Sequence, residues 1–151
     1  MQISTLSGAR PRTPFPPIPA PETVLVVDDD AAVCRLMELA VELGGRDAVR
    51  AGSAREALEV LRVHRVALIV TDVQMPNASG LDLLAALSAT IDPPPVLVVT
   101  GQPDPATIRA AGLLGARKVI AKPFSLEELG REIDDALSDP VVRLPADARL
   151  G

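Results

Sequence analysis

The sequence predicts an α/β domain in which a parallel sheet carries helices on both faces, and three observations support it. Continuous apolar runs recur at residues 24–27 (Val-Leu-Val-Val), 67–71 (Ala-Leu-Ile-Val-Thr) and 96–100 (Val-Leu-Val-Val-Thr), and weaker ones lie at 47–50 and 118–121. Short β-branched runs without polar alternation suit strands covered on both sides. The stretches between them carry helix start signals, and repeated alternation of strand and helix implies a parallel sheet.

Taken in order, the chain opens on a segment that supports neither helix nor ladder. Residues 10–21 read Arg-Pro-Arg-Thr-Pro-Phe-Pro-Pro-Ile-Pro-Ala-Pro, and proline fixes φ and lacks a donor. Residues 1–22 are therefore expected to be a disordered Pro-rich tail, either a solvated leader or a Pro-rich ligand for a partner. The domain is expected over 23–138. Its first helix ends at Gly44 and Gly45, with Cys34 on its inner part as a small buried hydrophobe. Ser53-Ala-Arg-Glu56 and Ser125-Leu-Glu-Glu128 have capping-box form. Asp104-Pro105 supplies an N-cap followed by proline at the first helical position. His64, beside Arg62 and Arg65, reads as solvated, and Leu113 or Leu114 either as core packing or as an exposed partner surface. Leu126, Leu129, Ile133 and Leu137 give the last helix one apolar face. Residues 139–151 read as a short tail.

Composition excludes several classes. At 151 residues with 48% hydrophobic content, the chain can bury one substantial core. Aromatics are only 1%, so that core must be built of Val, Leu, Ile and Ala. A net charge of −5 without a basic stripe argues against nucleic acid as a partner. A single cysteine rules out an internal disulfide and fits a reducing compartment. No apolar run has membrane-spanning length, and the first residues lack the apolar stretch of a signal peptide, so no membrane role and a cytoplasmic location are expected.

Functional crevices of open α/β sheets lie beyond the carboxyl ends of the strands. The first strand ends in Asp28-Asp29-Asp30, the third in Thr71-Asp72, the fourth in Thr100-Gly101, and the fifth runs into Lys122-Pro123. Clustered carboxylates repel one another, and a hard divalent cation relieves that; Mg²⁺ suits few carboxylates together with water and a phosphate oxygen. A lysine and a threonine hydroxyl can hold further phosphate oxygens. The set fits a carboxylate nucleophile attacking phosphorus, with Asp72 placed alone opposite the acidic pair. Asp30 reads as a helix N-cap, and Asp28 with Asp29 as metal ligands.

The strings at 24–30 (Val-Leu-Val-Val-Asp-Asp-Asp), 72–80 (Asp-Val-Gln-Met-Pro-Asn-Ala-Ser-Gly), 98–101 (Val-Val-Thr-Gly) and 122–124 (Lys-Pro-Phe) resemble the response-regulator receiver family, over about 23–138. The resemblance implies a flavodoxin-like doubly wound sheet of order 2-1-3-4-5. It implies that Asp72 accepts phosphate from a histidine kinase or a histidine phosphotransfer protein. It further implies Mg²⁺ on Asp29, Asp72 and the Gln74 backbone carbonyl, with Asp28 acting largely through water. Thr100 becomes the switch hydroxyl and Lys122 the family's lysine, typically followed by a cis bond to Pro123; Pro76 and Gly80 match the loop after Asp72. One position departs: Val119 stands where the family commonly has Tyr or Phe, so the usual aromatic readout cannot operate in its ordinary form. Since no effector domain follows Ser138, a stand-alone module, monomeric or weakly dimeric and acting on a downstream protein effector, is expected. The alternatives are a phosphorylation-independent scaffold and a haloacid-dehalogenase-type phosphatase using Asp28 and Asp30; three acids in the first loop disfavour flavin binding.

Overall fold

A computed structural model describes residues 22–75 and 79–138. Strands and helices alternate strictly: β1 (Thr23–Val27), α1 (Ala31–Leu43), β2 (Asp47–Ala51), α2 (Ala54–Val63), β3 (Leu68–Asp72), α3 (Gly80–Ser88), β4 (Val96–Thr100), α4 (Pro105–Leu113), β5 (Lys118–Ala121) and α5 (Leu126–Ser138). The strands form one sheet in the order β2-β1-β3-β4-β5, every pair parallel. This is the flavodoxin-like doubly wound arrangement. Apart from Glu22, the expected tails lie outside the described residues, as does Pro76.

Side chains alternate across each strand, and that alternation builds two cores. Val24, Val26, Leu68, Val70, Leu97 and Val99 face α1 and α5, meeting Met37, Val41, Leu129 and Ile133. Leu25, Val27, Ile69, Val96 and Val98 face the other way, meeting Ala57 of α2, Leu83 and Leu84 of α3 and Ala111 of α4. Every residue of β3 and β4 is buried, and each fully buried Leu or Val contributes about 1.5–3 kcal/mol. Leu126 and Leu137 are half-buried at the margin of the first core. Cys34 is buried, as expected, and its Sγ donates to the carbonyl of Asp28 at 3.1 Å. His64 is exposed, and of Leu113 and its neighbour Leu114 it is Leu113 that is exposed.

Two strand ends matter to the crevice, and one of them, that of β2, lies a residue beyond the sequence reading. β3 ends on Asp72, as the sequence reading has it; Asp72 is in register with Val99 and the next N–H, of Val73, donates to Val99 O at 3.1 Å. β2 extends to Ala51, whose carbonyl accepts the N–H of Asp28 at 3.1 Å.

The caps refine the helix starts. Asp30 caps α1 by accepting from Ala32 and Val33 N–H at 2.8 and 3.3 Å. Asp104 caps α4, accepting from Thr107 N–H at 2.8 Å. At α2 the box is displaced: Ser53 Oγ accepts from Glu56 N–H, but the Glu56 carboxylate reaches past Ser53 to the N–H of Gly52 at 2.6 Å. At α5, Ser125 Oγ accepts from Glu128 N–H at 3.0 Å. A fully reciprocal box stands at α3, between Ser79 and Asp82. Beyond α1, Gly45 takes φ 79°, a left-handed conformation that glycine adopts without cost.

Candidate functional site

The parallel sheet brings its carboxyl ends to one edge, and the acids follow from that. Asp28 leaves β1 with its N–H fixed to β2, and its Oδ1 accepts from Asp30 N–H at 2.9 Å. Its side chain therefore turns back over the sheet edge and is only 2% exposed. Asp29, next in the chain, is exposed. Asp72 ends β3 and is 5% exposed. Carboxylate oxygens of Asp28, Asp29 and Asp72 all lie within 4.8 Å of one another.

Lys122 completes the cluster from β5. Its N–H donates to Thr100 O at 2.8 Å, and its peptide bond to Pro123 is cis. The ammonium Nζ lies 3.0 Å from Asp28 Oδ2 and 3.4 Å from Asp72 Oδ1. Thr100 is fully buried at the end of β4, and its hydroxyl oxygen accepts from Gln102 N–H at 3.0 Å. The Gln74 backbone N–H acts on the Asp72 carboxylate in favour of its ionised form. Across the mouth, Gln74 Nε2 donates to Gln102 Oε1 at 3.2 Å, joining the loops after β3 and β4. The sequence reading named Gln74 but not this bond.

Gly80 supplies a second feature that spacing alone does not show. Its N–H donates to Val73 O at 2.9 Å, so the start of α3 is drawn tightly onto the end of β3. An ideal Cβ at Gly80 would stand 2.2 Å from the carbonyl oxygen of Asp72 and 3.2 Å from Thr71 Oγ1.

Electrostatics set the chemistry. Burial pushes the Asp72 carboxyl above its ordinary value, the charge of Asp28 adds to this, and Lys122 opposes it. For Lys122, burial acts to lower the ammonium, but the hydrogen bond to Asp28 and the charges of Asp72 and Asp28 outweigh it and raise it. Three carboxylates against one ammonium leave two negative charges in a partly dry cleft. An all-oxygen, doubly negative donor set fits a hard dication. The residues present thus fit Mg²⁺.

Four of the expected site residues, Asp28, Asp29, Asp72 and Lys122, meet as one cluster, and Thr100 stands at the adjacent strand end. Asp30 is occupied as a helix cap. Val119 lies half-buried on β5, in register with Val98 and against the second core.

The family model of the response regulator receiver domain matches residues 24–134. Response regulator MprA of Mycolicibacterium vanbaalenii is 40% identical over 110 residues, covering 72% of this chain and 47% of that protein. The chain spans about half the length of the curated relatives it matches. A response regulator receiver protein from Pseudomonas putida, known from its crystal structure, is 32% identical with a TM-score of 0.73, covering 78% of this chain and 99% of that one. Chemotaxis response regulator CheY4 of Vibrio cholerae is 26% identical, also with a TM-score of 0.73, covering 78% of this chain and 100% of that one. With the sheet order and the acidic edge already in place, the match over residues 24–134 settles the assignment: the chain belongs to the response regulator receiver domain family of two-component signalling.

Proposed function

We propose that Asp72 accepts a phosphoryl group from a histidine kinase or a histidine phosphotransfer protein, and that the acyl phosphate changes which protein the domain binds. The observation that supports this most is the Lys122 ammonium lying between Asp28 and Asp72, at 3.0 and 3.4 Å, beside a third carboxylate.

In the reaction, one Asp72 oxygen forms a bond to phosphorus as the bond from phosphorus to the donor's imidazole nitrogen breaks, and that nitrogen keeps the electron pair. Lys122 has two tasks. It favours the ionised, nucleophilic form of a carboxyl that burial would otherwise protonate, and it then neutralises a phosphoryl oxygen. Asp28, Asp29, Asp72 and the Gln74 backbone carbonyl would hold Mg²⁺, which when bound supplies further neutralisation of charge on the transferred group. The Thr100 hydroxyl, now accepting from Gln102 N–H, can turn its own O–H toward the phosphoryl group, coupling phosphorylation to the loop after β4. The domain acts on its own carboxylate and not on a turned-over substrate, which suits a cytoplasmic signalling role without nucleic acid or membrane contact, as a monomer or weak homodimer.

Incubation with Mg²⁺ and acetyl phosphate, followed by intact mass, tests the proposal. A gain of one phosphoryl group, absent in Asp72→Asn, is expected. No gain under conditions that label an unrelated receiver would falsify it and leave the phosphorylation-independent scaffold, which Val119 alone favours. The phosphatase alternative is weakened by Asp30, whose carboxylate is committed to the α1 cap.

A further inference from the structure

Past their last shared ladder bond, Val73 N–H to Val99 O at 3.1 Å, β3 and β4 turn to different neighbours. Val73 O accepts from Gly80 N–H at 2.9 Å, which draws the chain after β3 onto α3. Thr100 O accepts from Lys122 N–H at 2.8 Å, which commits the end of β4 to β5. Among the described residues, one hydrogen bond joins the chain at 74–75 to the chain at 101–104. It is Gln74 Nε2 donating to Gln102 Oε1 at 3.2 Å.

Packing does not take its place. At Gly101 an ideal Cβ would meet nothing within 4 Å, and Gln74 and Gln102 are both exposed. On its far side Gln102 is tied to the start of α4, its carbonyl accepting from Asp104 N–H at 2.8 Å. Toward β3 its tie is the bond to Gln74.

What Gln102 holds in turn is Thr100. That hydroxyl is fully buried, and its oxygen accepts from Gln102 N–H at 3.0 Å. A hydroxyl has one proton and two lone pairs. With one lone pair engaged, the Thr100 proton is directed away from Gln102, and it has no acceptor among the described residues. A buried donor without an acceptor is costly, and an incoming anionic oxygen removes that cost. The other group that must meet the same anion is the Asp72 carboxylate. Asp72 stands two residues before Gln74, as Thr100 stands two before Gln102. The glutamine bond therefore ties together the two backbones that carry nucleophile and donor.

We infer that Gln74 and Gln102 are positioning residues, whose side-chain bond sets the separation of Asp72 and Thr100 so that the Thr100 proton meets an oxygen of the group on Asp72. The inference rests on the phosphoryl acceptance proposed for Asp72 and adds two residues to it. Its physical basis is preorganisation: groups fixed before the anion arrives lose little freedom when it binds. The pair is exposed and competes with water, so its effect is that of one hydrogen bond, about two- to tenfold in affinity.

Beryllium fluoride with Mg²⁺ tests this in the full chain, because it places a tetrahedral, anionic stand-in for the phosphoryl group on a carboxylate oxygen. Its dissociation constant is read by calorimetry for wild type, Gln74→Met, Gln102→Met and the double variant, and for all four again with Thr100→Val. Each single change should weaken binding about two- to tenfold, and the double change no more than either one. With Thr100→Val the same changes should have no effect, a dependence that a merely structural pair would not show. Mg²⁺ affinity without fluoride should stay at the wild-type value in Gln102→Met. Additive losses, losses that persist without the Thr100 hydroxyl, a parallel loss of Mg²⁺ affinity, or unchanged binding in the single variants overturn the inference and leave Asp72 as the acceptor. Wild type that binds no beryllium fluoride overturns the Asp72 reading itself, and this inference with it.

Discussion

A β-carbon added to Gly80 would stand 2.2 Å from the carbonyl oxygen of Asp72. That distance is far inside van der Waals contact, and the atom it meets is backbone, which cannot rotate away. Helix α3 therefore packs onto the end of β3 only because residue 80 has no side chain, and the seat of Asp72 depends on that approach.

Gly80→Ala should accordingly push the start of α3 away from β3. A loss of about 1–3 kcal/mol is expected from overpacking, read as a lower denaturation midpoint with unchanged slope. Labelling by acetyl phosphate should slow as well, because Asp72 moves relative to Lys122. Unchanged stability together with unchanged labelling would show that the contact relaxes freely.

Asp72→Asn should abolish labelling and leave the fold intact. Burial and the charge of Asp28 work against ionised Asp72 more strongly than Lys122 favours it, so a neutral side chain of the same shape relieves repulsion. Without Mg²⁺ the variant should melt at or above the wild-type temperature. Added Mg²⁺ should raise the melting temperature of the wild type more than that of the variant, because the variant has lost one carboxylate. A scanning calorimeter checks both.

The strand ends were legible because buried parallel strands advertise themselves as unbroken apolar runs, and the residue that closes or follows each run is a candidate for the crevice. Asp28, Asp72, Thr100 and Lys122 were found that way. What escaped depends on distances between segments far apart in sequence. The 2.2 Å approach at Gly80 and the Gln74–Gln102 bond follow from how two loops meet after the sheet has formed. The α3 box is a different kind of miss: Ser79-Gly-Leu-Asp82 has the capping pattern with aspartate in place of glutamate, and it was readable. The weak signal of β5 also has a cause, since Lys118 and Ala121 are exposed on an edge strand and only Ile120 is buried.

Lys122→Ala should separate metal binding from phosphorylation. Asp28 and Asp72 side chains, 1% and 7% exposed, would face each other without their cation. A stability loss of about 1–3 kcal/mol in metal-free buffer is expected for buried charges left unpaired. Mg²⁺ affinity, followed by calorimetry because Trp and Tyr are absent, should persist, since the three carboxylates remain. Phosphoryl labelling should fall at least tenfold. Loss of Mg²⁺ binding along with labelling would mean that the lysine organises the carboxylates instead of acting on phosphate.

Asp104 provides a pH test remote from the site. Hydrogen bonds from Thr107 N–H hold its carboxyl below the usual 3.8, so the folded state favours the ionised form. A depressed folded value means that the contribution is complete above the unfolded value and is lost as pH falls through the folded one. Asp104→Asn keeps an acceptor at the cap but cannot titrate. The stability advantage of the wild type over this variant should therefore hold from neutral pH down to about pH 4 and shrink below it, as read from denaturant midpoints across the acid range. An advantage that instead grows on acidification would show that the α4 cap does not depend on an ionised Asp104.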